Sequence, residues 1–82
     1  MTILEVKQDE RPELKYVFVV TLEPIPLDTI VELNGQEAVS CILQPPIQNS
    51  IGFSYMDTDW VFGQPFTLKN SQETQVVSDY TN

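Results

Sequence analysis

No lysine, arginine or histidine occurs anywhere from Tyr16 through Leu68, and histidine is missing from the whole chain. Glu23, Asp28, Glu32, Glu37, Asp57 and Asp59 all lie inside that stretch, so ion pairs between side chains can draw only on Lys7, Arg11, Lys15 and Lys69. With 12 acidic residues against 4 basic ones and a formal charge of −8, the folded surface should carry a nearly uncompensated negative field. Such a field disfavours phosphate backbones and anionic lipid, so neither direct nucleic-acid binding nor membrane binding is expected.

The missing histidine also removes the usual acid–base group at neutral pH. Cys41 is the only cysteine, which rules out an intrachain disulfide or a thiolate metal cage, and small secreted folds commonly need one or the other. It sits in an apolar run with Lys15 and Lys69 as its nearest cations in sequence. No activating base adjoins it, so a buried core thiol is expected rather than a nucleophile. A carboxylate pair could be drawn from any two of the acids, and so the pattern points to no glycosidase-type site. Asp57-Thr58-Asp59 has the alternation that opens a calcium loop. The third acid, the glycine and the closing glutamate are absent, and turn chemistry accounts for both aspartates. No catalytic, metal or cofactor site is expected, and the chain does not read as an enzyme.

Long hydrophobic runs are absent too. The longest, from Tyr16 to Val20, is far too short to span a bilayer. The first residues, Met1 to Lys7, lack a basic segment followed by an apolar stretch, which predicts no signal peptide and a location in a virion or the cytoplasm.

What is present is a series of short β-type runs: 3–7, 16–23, 29–33, 38–43, 51–56, 60–62 and 66–69. Each is rich in β-branched or aromatic residues, and turn-formers bound most of them. The strongest, 16–23, has a continuous apolar centre that predicts a central strand buried on both faces. Asn34-Gly35 between two such runs predicts a hairpin tip with positive φ at Gly35. A two-residue loop would set Glu32 opposite Glu37, a like-charge pair, so a bulged or longer loop competes with it. Pro45-Pro46 predicts an extended crossing between sheets or around an edge. Ile51, Phe53 and Tyr55 alternate with Gly52 and Ser54, leaving a small-residue face against which something can pack closely. Pro12 breaks the only helix-like charge spacing, in 5–15, and predicts a charged loop. Residues 75–80 fit a last strand or a tail that orders on a partner.

The 82 residues predict one acidic β domain spanning 1–82, with a charged N-terminal segment (1–14) and an extended C-terminal tail (70–82). The expected fold is all-β: a small antiparallel barrel or sandwich of about six to seven short strands, with a small α+β fold as the fallback. At this size folding buries only about 60% of the unfolded surface, so neighbours commonly complete the burial. That favours a non-enzymatic structural or assembly subunit bound to protein partners, as a homo-oligomer or within a larger assembly. A phage decoration, cement or tail-adaptor protein is the concrete example. The rival is an acidic inhibitor that mimics nucleic-acid phosphates and blocks a basic groove. The candidate partner interface comprises Trp60, Tyr55, Asp57, Asp59, Val76, Val77 and Tyr80. Ordinary core packing competes with that role for Trp60.

Overall fold

The computed structural model describes residues 1–42 and 48–81. The expected Pro45-Pro46 crossing lies outside the described residues. The chain forms β1 (Ile3–Gln8), a 3-10 turn (Pro12–Leu14), β2 (Tyr16–Thr21), β3 (Ile30–Leu33), β4 (Gln36–Glu37), β5 (Ser40–Ile42), β6 (Ser50–Ser54), β7 (Phe66–Lys69) and β8 (Thr74–Val77). All pairings between these strands are antiparallel. They make two four-stranded sheets, in the orders β1-β2-β6-β5 and β4-β3-β7-β8. The domain is a small all-β sandwich.

The core lies between the sheets. Val17 and Val19 of β2 with Ile51 and Phe53 of β6 face Val31 and Leu33 of β3 and Phe66 and Leu68 of β7, all buried. Alternation along each strand puts these residues on one side, as a period of two requires. Trp60 fills one end of this layer, packed edge-on against Phe53, Tyr55 and Phe66.

The hairpin forms at Asn34-Gly35, with φ of 54° and 81°. Positive φ at both positions is the type I′ turn, so the loop has two residues and Glu32 does stand opposite Glu37. The bulged alternative is not adopted. The glutamates point to solvent, where a like-charge pair costs little, and the turn chemistry prevails.

Beyond the turn the chain changes sheets. The Ala38 N–H donates to Val31 O (2.8 Å), still on the β3 ladder, while Val39 O accepts the Ser54 N–H (2.9 Å), already on the β6 side. Thus β4 and β5 are halves of one bent run that joins the two sheets along this side of the sandwich.

Four expectations need correction. Strand 16–23 ends at Thr21, where Asn49 pins the chain: its carbonyl accepts the Thr21 N–H (2.8 Å) and its amide donates to Thr21 O (3.0 Å). The inner face of β2 is buried but its outer face is only half-buried, because no further layer covers that sheet among the described residues. Residues 60–62 are not a strand. Gln64 satisfies that backbone locally, its Oε1 accepting the Val61 N–H (3.1 Å) and its own N–H donating to Val61 O (3.1 Å). Cys41 is exposed, not buried. It pairs with Gly52, and since Ile51 and Phe53 point inward, Gly52 and Cys41 must both point outward.

Candidate functional site

The seven residues singled out for an interface do not form one surface. Trp60 is 1% exposed, and its indole Nε1–H donates to Pro65 O (2.9 Å), so it is a core residue with its polar atom satisfied inside. Tyr55 is buried beside it, its hydroxyl accepting from Gln8 Nε2. Val77, the last residue of β8, is buried on the core side of its sheet. Asp57 and Asp59 are exposed on a turn where Asp57 takes φ of 62°. Among the described residues no group of three or more acids or other ligand side chains could hold a metal ion.

Val76 and Tyr80 lie on a different feature from the Asp57 turn. Tyr80 is half-buried, its ring stacked edge-on against Phe62 and Phe66, each 5.4 Å away between centroids. Its hydroxyl donates to Gln64 O (2.6 Å) and accepts the Gly63 N–H (3.0 Å). Burial pushes the phenol above its ordinary pKa of 10.0, and the two hydrogen bonds with the ring contacts anchor the residues after β8.

Beside Tyr80 runs a groove of about 420 Å³, lined by residues 3–6 on one side and 75–80 on the other. Its position follows from the topology. With β4 and β5 joining the sheets on the opposite side, β1 and β8 are the remaining edges, and they lie next to each other. Among the described residues no strand pairs with the outer edge of either. At one end Gln75 closes the groove, donating Nε2 to Met1 O (2.9 Å).

The rim is apolar and acidic. Leu4 and Val76 are 58% and 64% exposed, and the charged residues lining the groove are Glu5 and Asp79. Leu4 is turned outward by a bulge: Ile3 pairs with Thr21 and Glu5 with Val20, so one β1 residue is extra. Residues 3–6 as a lining went unnoticed in the sequence. The available signal was the break in alternation at Ile3-Leu4-Glu5-Val6, which a bulge resolves by sending Leu4 and Glu5 out together.

Comparison of the chain with protein-family models, with curated proteins and with solved structures gives no match.

Proposed function

We propose that the protein is a non-enzymatic structural subunit that packs into a larger protein assembly, with phage decoration, cement and tail-adaptor proteins as the concrete instance of that role. The observation that carries this reading is the open seam between β1 and β8. Two strand edges with no pairing partner among the described residues, side by side and rimmed by exposed Leu4 and Val76, are a surface that a protein partner completes. A small domain gains disproportionately from such burial. The acidic balance supports a protein partner over nucleic acid or membrane.

The test is native mass spectrometry of complexes recovered with the tagged chain from its source, followed across salt concentration. The expected result is a defined particle holding the chain in whole-number stoichiometry. It should persist at physiological salt and above, because apolar contacts strengthen or hold as charges are screened over about 8–10 Å. A lone monomer, or a complex with a basic nucleic-acid-binding protein that falls apart as salt rises to physiological, would overturn the reading. The second result would instead support an acidic blocker of a basic groove.

A further inference from the structure

Three places outside the core invite a further assignment. Cys41 is exposed but stands alone. The groove of about 480 Å³ beside Phe18 carries Lys7 and Arg11, yet Asp9 already pairs with Arg11 at 3.2 Å. The seam between β1 and β8 carries more, because its backbone, apolar rim and charge all specify what fits.

The backbone of β8 offers a regular ladder. The Asn70 N–H donates to Glu73 O (2.9 Å), which closes the β7–β8 hairpin. Antiparallel pairs alternate between bonded and non-bonded from that point, so Leu68 with Gln75 and Phe66 with Val77 exchange bonds. The N–H and C=O of Thr74 and Val76 therefore point away from β7, toward the seam. The edge of β1 is different, since the bulge at Leu4 interrupts its ladder.

We propose that the seam is a strand-acceptor site: an extended segment of a different protein, alternating apolar with Lys or Arg residues, adds antiparallel to β8. Its apolar side chains lie over Ile3, Val6 and Val77, and its cations reach Glu5 and Asp79. Residues 3–6 span roughly 13 Å at about 3.3 Å per residue, so about four residues of the segment are held. Charge excludes a second copy as the occupant. Two chains of −8 would bring Glu5 and Asp79 against each other's acids, whereas a basic segment is complementary to them.

The proposal rests on the assembly reading and names the partner's chemistry. The probe is a synthetic peptide of alternating valine and lysine, about eight residues long, titrated into the full chain at physiological salt. Amide shifts are expected at Thr74 and Val76, and a valine–glutamate peptide should bind about tenfold more weakly or less. N-methylation of alternate peptide amides keeps the charge but removes the ladder donors, and should abolish binding. Val76→Pro deletes an edge N–H that β7 does not use, so the variant should melt normally and lose the peptide.

Equal binding of the N-methylated peptide would mean that only the diffuse field attracts it, and would overturn the proposal. Shifts confined to other strands would do the same. A wild-type dimer that Val76→Pro dissociates would give the edge to a second copy, again against the proposal. A stoichiometric assembly in the source with no peptide binding here sinks this inference alone. Peptide binding without any assembly sinks the assembly reading instead.

Discussion

Across the outer face of one sheet the register aligns Lys7, Phe18, Gly52 and Cys41. Across the outer face of the other it aligns Glu37, Glu32, Thr67 and Val76. The first face lays large rings over small residues. Tyr16 and Phe18 stack at 5.1 Å, and a Cβ added to Gly52 would meet Tyr16 Cε1 at 2.6 Å. The second has no aromatic on it and tolerates two glutamates side by side. The charges divide in the same way. Lys7, Arg11 and Lys15 all belong to β1 or to the turn joining it to β2, while Lys69 is the single cation on the strands of the second sheet. Both sheets thus share one core, but only the first shields its backbone on the outside as well. Sensitivity to substitution should therefore be equal inside the sandwich and unequal outside it.

The largest effects should confirm the equality. Phe53→Ala on the first sheet and Phe66→Ala on the second each remove a ring from the shared core, which costs about 3–5 kcal/mol. Urea denaturation measures both. If one variant lost less than about 1 kcal/mol, the two sheets would not share a single packed core.

Outside the core the faces should part. Gly52→Ala forces the half-buried Tyr16 ring off its seat and, because the ring can swing outward, should cost about 1 kcal/mol, the lower end of overpacking. Thr67→Ala, at the corresponding level of the other sheet, should stay within about 0.5 kcal/mol. Burial raises the Tyr16 phenol above its ordinary pKa of 10.0. Displacing the ring in Gly52→Ala should lower that pKa toward the ordinary value, which an ultraviolet titration reads directly. Equal losses for the two variants would erase the distinction between the faces.

The turn of the second sheet supplies a comparable effect. Gly35 has φ of 81° with nothing near its missing Cβ, so Gly35→Val strains only the backbone, by about 1–3 kcal/mol. An unchanged melting temperature would show that the hairpin can adopt another loop.

Cys41 tests the orientation of the first face without a stability change. Its thiol should react with a disulfide reagent in the native state at a rate within severalfold of the unfolded chain, because it is exposed. Strong native protection would place it inward and reverse the register of β5 against β6.

The smallest effect is on acid stability, and each sheet has its own probe. The Glu23 carboxylate accepts the Thr2 N–H and then its hydroxyl, each at 2.7 Å, which lowers its pKa from the ordinary 4.5. At the second sheet, hydrogen bonding from the Ser71 side chain and backbone N–H lowers Asp28 from 3.8. A carboxyl lowered on folding contributes stability that is fully present above its ordinary value and disappears as pH falls through the lowered one. Glu23→Gln and Asp28→Asn should therefore each flatten the acid limb of the stability profile below about pH 4.5 and leave its shape near neutrality unchanged. A steeper limb in either variant would contradict these hydrogen bonds.

Much of this division could be read in advance, and the exceptions have definite causes. Alternation in 51–55 put Phe53 inside and left the small face at Gly52, and the neighbour that packs on it proved to be Tyr16. Asn34-Gly35 fixed its turn locally, because both residues tolerate positive φ. Cys41 was misplaced because an apolar run of three or four residues does not say which member points inward; its pairing with Gly52 decides that. Trp60 was ambiguous for a related reason. An aromatic residue next to a turn serves a surface or a core equally well until its indole N–H finds the Pro65 carbonyl. The candidate site was half legible: Val76 and Tyr80 border the seam, whereas its β1 wall depends on a bulge.

The sequence alone determined the charge excess, the absence of histidine and of a second cysteine, the strand-rich class and the hairpin tip, since each depends on residue type or on neighbours a few positions apart. Tertiary structure decided which strands became edges and which faces stayed open. Those outcomes rest on pairings between distant segments, such as β1 with β2 on one sheet and β3 with β7 on the other. The chain passes from one sheet into the other at Ala38–Val39, which joins them on one side and leaves β1 and β8, some seventy residues apart in sequence, as the edges of the other side, with no pairing partner among the described residues.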